Sequence, residues 1–368
     1  MADILLTIDV EDWFQVENFK QYIPYSSWSS CELRVERNTH HLLDLFDSVG
    51  GRKLTQKSSP SKCLKRSDPQ GPSPLLTPHA PEGYEPPSFL ASQLQAKCRP
   101  KATFFILGWL GKRLPNLVRE IHARGHEVAS HGYSHELCSA CSTEELKNDL
   151  TLSKKLLEDV IGAPVYGYRA PSFSINDDIL KVVEQCGYLY DSSYNSFGLN
   201  SRYGKLTLST NGSKGIAIDV SHPSILASKP SSFWELPISN LNIKKPFSYL
   251  LSAISSKQNQ RGFVLPWGGG GYFRLIPFRL FQRGIKKVLK ERSAYLFYMH
   301  PWEIDPGQPK VSTANRFYKF RHYTNLGSAQ QKLSRLISEF KDCGFRTCSQ
   351  YLDGLASSGA VLKSETRS

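Results

Sequence analysis

His131 and His135 stand four residues apart in the run His-Gly-Tyr-Ser-His. Two imidazoles at that spacing can face the same way on one helical turn and offer two nitrogen ligands to one metal ion. The acidic run Asp9-Val10-Glu11-Asp12 supplies carboxylates. A metal hydrolase needs such a pair of acids, one to bind the ion and one to take a proton from water. Arg169-Ala170-Pro171 sets a guanidinium before a rigid turn, suited to clamping a carboxylate through two parallel hydrogen bonds. His300 ends an apolar stretch and precedes Pro301-Trp302. Taken singly, each feature has a plain alternative: a core or surface histidine, or a solvated acidic turn. Their shared setting carries the inference.

That setting is an alternation of strands and helices. Ile4–Ile8 is a short apolar run that reads as a strand ending at the acidic cluster. A helix is expected over Arg37–Val49, closed by Gly50 and Gly51. Ala102–Leu107 and Glu127–Ala129 read as strands, the second delivering His131. Between them Pro115 starts a helix that Gly125 stops. Thr143–Val160 is amphipathic, with Thr143 as its expected cap. Val165–Tyr168 leads to Arg169, Ile179–Cys186 is a helix, and Tyr188–Tyr190 is a strand. Tyr295–Met299 is a last core strand before His300, and Ser328–Phe340 a final helix. Such alternation means a parallel α/β architecture, and α/β barrels build active sites where strands end.

The 368 residues suit one catalytic domain, expected over 1–355, with a disordered tail at 356–368. Residues 51–100 are rich in Pro, Ser and Lys and read as a flexible insertion. The net charge is +13, but residues 51–101 hold nine Lys or Arg and three Asp or Glu, which is +6 of it. No recognition motif accompanies the charge, so nucleic-acid binding is excluded from the reading. Eight scattered cysteines need no disulfide framework in a chain this long. The start, MADILLTIDVEDWF, lacks a signal peptide's basic and apolar regions, and no run matches a membrane span, so a cytoplasmic location is expected.

In their order, the pieces TIDVED, SHGYSH, YRAPSF and YLFYMH resemble the polysaccharide deacetylases, carbohydrate esterase family 4. The pieces DVEDWF, FILGWL, GYRAPSFSI, YDSS, GGGGYFRLIP, MHPWEIDPGQP and FRHYTNL look closest to the exosortase- and exopolysaccharide-associated subgroup, across residues 3–50 and 100–350. The resemblance implies a distorted, seven-stranded (β/α) barrel that removes N-acetyl groups from amino sugars of an exopolysaccharide or cell-wall polysaccharide. It implies Asp9 as base, Arg169 orienting it and His300 as acid. It further implies a divalent metal, expected to be Zn²⁺, on His131, His135 and one more acid, and an association with exopolysaccharide biosynthesis machinery. The family motif has two adjacent aspartates, whereas Val10 follows Asp9 here. The third ligand is therefore Glu11 or Asp12. Tyr133, Pro171 and Trp302 are the candidate substrate contacts.

Three rival readings remain open from the sequence. His131, His135, Cys138 and Cys141 could close a structural His₂Cys₂ zinc site. The chain could be a non-catalytic glycan-binding relative. It could also hydrolyse a small non-sugar amide on the same fold. The glycine run Gly268–Gly271 is no phosphate loop, since no Gly-Lys-Ser/Thr follows. A bulge or a close approach to a glycan is expected there.

Overall fold

A computed structural model describes residues 2–49, 99–198, 202–207, 215–221, 232–243 and 263–365. The insertion expected at 51–100 lies outside the described residues, apart from its last two.

Strand β1 (Asp3–Val10) is buried along nearly all its length, as a strand covered on both faces must be. It pairs in parallel with β10 (Ala294–Met299) on one side and β2 (Ala102–Ile106) on the other. The parallel sheet continues through β3 (Glu127–Ser130), β4 (Gly167–Tyr168), β5 (Tyr190–Asp191) and β7 (Trp234–Glu235). Seven parallel strands thus follow one another in the order β10-β1-β2-β3-β4-β5-β7, so the count is close to the expected one. Two short strands bring the sheet to nine. One is β6 (Ile218–Asp219), antiparallel on β7; the other is β11 (Gly344–Phe345), beside the start of β1. After β7 the chain crosses back: the Leu236 and Ile238 amides donate to Asp191 and Tyr194, and the Ser239 amide donates to Leu296 of β10. The sheet thus curls into a barrel-like form. Strands β8 (Asn240–Ile243) and β9 (Phe263–Pro266) make a separate antiparallel pair.

Helices cover the sheet. The first, α1 (Val35–Val49), buries Leu42, Leu43 and Phe46. Next come α2 (Gly108–Arg113), α3 (Pro115–Ala123) and α4 (Thr143–Ile161). Ser142, one residue before the expected cap, closes a reciprocal capping box with Glu145, while Gly162 ends α4 in the left-handed region at φ 67°. The set continues with α5 (Asp177–Gln185), α6 (Gly270–Leu275), α7 (Phe278–Arg292), α8 (Arg316–Tyr323), α9 (Leu326–Glu339) and α10 (Cys348–Glu365). The last helix runs through most of the segment expected to be a disordered tail.

The glycine run forms no bulge, and its last residue, Gly271, lines the cleft described below. Its first residues press against the main sheet: Gly269 bridges to Tyr298, and a Cβ on Gly268 would meet Ile238 and the Leu296 carbonyl. Its last two begin α6.

Candidate active site and metal centre

Asp9, His131, Arg169 and His300 all stand at or just beyond the C-terminal ends of parallel strands, on β1, β3, β4 and β10. One cleft is lined by Asp9, Glu11, His131, His135 and His300, while Arg169 lies fully buried behind it.

The histidine pair converges by a different route from a helical turn. Residues 131–137 form a loop in which Gly132 (φ 73°) and His135 (φ 57°) are both left-handed. That conformation costs a non-glycine residue about 1 kcal/mol or more and persists only where its surroundings enforce it. Here they do. The Tyr133 amide donates to Asp149 of α4 at 3.0 Å, and the Gly132 and Tyr133 carbonyls accept from the amides of Gly108 and Trp109. His131 Nδ1 lies 2.7 Å from the Arg169 carbonyl. A carbonyl only accepts, so Nδ1 carries a proton and Nε2 is the nitrogen that faces the other candidate ligands.

That Nε2 is 3.0 Å from Glu11 Oε1, and His135 Nε2 is 3.1 Å from the same oxygen. Among the described residues, Glu11, His131 and His135 are the group whose ligand atoms, all within 4.8 Å of one another, could hold a metal ion. Two imidazoles and a carboxylate, nearly dry, suit a divalent cation with Zn²⁺-type preferences. Burial opposes ionisation of Glu11, yet His135, His300 and His131 hold its carboxyl well below the usual range.

Asp12 points elsewhere, which separates the two candidate acids. It is fully buried, and its oxygens accept from the amides of Trp13 (2.8 Å), Arg34 (2.7 Å) and Val35 (2.9 Å). It therefore caps α1 rather than joining the histidines. Burial pushes its carboxyl up to about 6, against the pull of those amides. Asp12→Ala is expected to lower stability by about 1–3 kcal/mol with metal content intact. Denaturant unfolding with elemental analysis checks this; metal loss without destabilisation would return Asp12 to the ligand set.

Arg169 meets the opposite wall. Its Nη1 donates to Asp9 Oδ1 at 2.7 Å and to Thr7 Oγ1 at 2.8 Å. Its Nε and Nη2 donate to the carbonyl and hydroxyl of Ser192, each at 2.8 Å. The guanidinium also lies over the Phe105 ring, 4.1 Å from its centroid. Asp9 is thereby held through one oxygen, not clamped through two. Its Oδ2 stands 4.0 Å from His300 Nε2, which is 3.8 Å from Glu11 Oε1.

His300 has partners that the sequence reading missed. Its Nδ1 donates to Glu303 Oε1 at 2.9 Å, and Glu303 Oε2 accepts from Arg274 Nε at 2.7 Å. Arg274, buried, also donates to the carbonyls of Arg321 and His322. A Cβ at Gly270 would overlap the Glu303 carboxylate, which accounts for a glycine there. Burial opposes charge on His300, but Glu11, Glu303 and Asp9 raise its pKa to about 9. Burial likewise opposes charge on Glu303, yet Arg274 and His300 bring it down to about 2. Glu303 and Arg274 stand in the quoted pieces MHPWEIDPGQP and GGGGYFRLIP, but only contact reveals their use. Glu303→Gln keeps the shape and removes the charge. Its kcat is expected to fall about ten- to hundredfold with KM little changed; steady-state kinetics on the folded variant check this.

The substrate candidates divide. Trp302 lines the cleft, but it is stacked between His300 and His322 and offers an edge, not an open face. Tyr133 is absent from the lining and packs over Gly108. Pro171 is buried near Gly132, while its neighbours Ala170, Ser172 and Phe173 line the cleft. The structural His₂Cys₂ reading is not met either: Cys138 Sγ lies 3.1 Å from the Tyr168 hydroxyl, and Cys141 Sγ is directed to the Leu137 carbonyl.

The curled, mostly parallel sheet thus gathers carboxylates, histidines and a buried arginine at its strand ends, the layout of a (β/α) barrel. Residues 92–190 match the family model for polysaccharide deacetylase, and residues 254–353 match a domain of unknown function, DUF3473. A peptidoglycan-N-acetylglucosamine deacetylase of Bacillus cereus is 32% identical over 118 residues, covering 32% of this chain and 50% of that protein. A chitooligosaccharide deacetylase of Sinorhizobium fredii is 31% identical over 130 residues, covering 35% and 54%. The chain thus spans about half the length of the curated relatives it matches. A crystal structure from Mycobacterium smegmatis, described as a "putative polysaccharide deacetylase", shares the fold: TM-score 0.52, 17% identity, 97% of this chain and 91% of that one covered. The chain is thus similar to polysaccharide deacetylases over residues 92–190 and to the two curated relatives. Among the described residues, no helix is long and apolar enough to cross a membrane.

Proposed function

We propose that this protein hydrolyses the N-acetyl groups of amino sugars in a polysaccharide, with a divalent metal, Zn²⁺ by its donor set, on Glu11, His131 and His135. One observation carries the reading: an arginine-held carboxylate and a carboxylate-held histidine flank a Glu-His-His cluster in a single cleft. When bound, the metal supplies Lewis acidity and a nucleophile at neutral pH. Asp9, held and aimed by Arg169, takes the proton of the attacking water. His300, held by Glu303, gives a proton to the departing amine, which is a poor leaving group without it. Glu303 holds His300 through Nδ1, so that Nε2 faces Asp9 and Glu11 in the cleft. The products are acetate and a free amino sugar.

The finer reading is an exopolysaccharide substrate and an association with the machinery that makes it. What supports this is the DUF3473 match over 254–353 together with the ordered motif pieces. Acetate release from N-acetylglucosamine oligomers and from acetylated exopolysaccharide tests both levels. A chelator is expected to remove metal and abolish release, with recovery on adding Zn²⁺; release that persists in metal-free protein would overturn the reading.

A further inference from the structure

We propose that the outer face of α8 is a binding surface for a glycan strand that carries anionic groups, continuous with the cleft. This rests on the glycan reading above and names the chemistry of the strand. Phe317 and Phe320 are the two most exposed large apolar side chains among the described residues, at 59% and 57%. At i and i+3 they lie on one side of the helix. The same helix lines the cleft through Arg321 and His322. The Arg321 guanidinium bridges the two, 5.7 Å from the Phe317 ring centroid. A strand leaving the cleft on this side therefore meets aromatic faces, on which the C–H faces of sugar rings stack.

The charge chooses among strands. Residues 306–338 hold six Lys or Arg and no Asp or Glu, with Arg316 and Lys319 on α8 beside the two phenylalanines. Such a surface favours carboxylate- or phosphate-bearing polymers. Two further atoms point to a polar ligand at the inner end. Trp302 Nε1 and His322 Nδ1 are buried in the cleft wall without partners. Gln308 donates through its Nε2 to two carbonyls, so its Oε1 accepts from His322 Nε2 at 2.7 Å and leaves Nδ1 an acceptor. One orphan donor and one orphan acceptor suit hydroxyl groups, which offer both. A basic aromatic helix also suits an anionic membrane surface. A bilayer on this face, however, would lie against the cleft mouth that the substrate must enter.

The test measures affinity by calorimetry for a hyaluronan octasaccharide, which alternates N-acetylglucosamine with a carboxylate sugar, and for neutral chitohexaose. Full-length wild type is expected to prefer the acidic strand, and added salt to close the gap. Phe317→Ala/Phe320→Ala is expected to weaken both ligands about tenfold. Arg316→Gln/Lys319→Gln is expected to weaken only the acidic one. Both pairs lie on the surface, so folding is retained. Absence of wild-type binding overturns the proposal, as does unchanged affinity in both variants. Loss of binding to phosphatidylglycerol-containing vesicles with glycan affinity unaltered assigns the face to a membrane and overturns it too. Acetate release on the same oligomers separates the two readings: strand binding that follows the prediction without any release sinks the deacetylase chemistry alone, and release with unaltered strand binding sinks only the surface.

Discussion

Asp9→Asn is expected to reduce turnover by about 10²–10⁴, the usual contribution of a positioned general base, while leaving metal content near that of wild type. The amide keeps the shape of the carboxylate and can still accept the hydrogen bond that Arg169 Nη1 makes at 2.7 Å. It cannot take a proton from water. Metal content is the discriminating measurement, because Asp9 stands outside the Glu11, His131 and His135 cluster. A stability cost is also expected. Arg169 is fully buried, and losing its counter-charge there costs about 3 kcal/mol or more, moderated by its bonds to Thr7 and Ser192. Kinetics are therefore to be taken where denaturation curves show the variant folded. Turnover within a few-fold of wild type in folded Asp9→Asn would remove Asp9 from the role of base.

Glu11→Gln is expected to reverse that pattern, with metal lost first and activity lost as its consequence. Glu11 Oε1 is the one oxygen that both His131 Nε2 and His135 Nε2 approach, at 3.0 and 3.1 Å. A neutral amide oxygen is a far poorer ligand, and the affinity is expected to fall at least about a hundredfold, more than an outer-shell change usually costs. Titration of metal-free protein with Zn²⁺, followed by elemental analysis after dialysis, checks this. The neighbouring variant Asp12→Ala, described above, is the internal control: one residue further along the chain, it is expected to lose stability and keep metal. If the two variants lost metal equally, Glu11 would have no special claim as the third ligand.

The sequence by itself determined the frame and most of the residues that gather around the cleft. Alternating apolar strands and amphipathic helices cannot bury their faces except as a parallel layered sheet, and polar residues just after such strands have to gather at one end of it. That is why Asp9, His131, Arg169 and His300 were legible from position and type alone. The choice between Glu11 and Asp12 was not. Residues 11 and 12 follow the end of a strand, where the chain no longer alternates strictly, so adjacent side chains can turn in unrelated directions. Only the tertiary structure sends one to the histidines and the other to the amides at the start of α1. The histidine pair has the same lesson in another form. Spacing brought the two together correctly, but a helical turn does not; a loop with two left-handed residues does, fastened by Asp149 from a helix well beyond it. Glu303 and Arg274 were invisible as site residues for the same reason. Arg274 reaches Glu303 across 29 residues of chain, a range that no local pattern encodes, and Glu303, only three residues from His300, is set against that ring by the same ion pair.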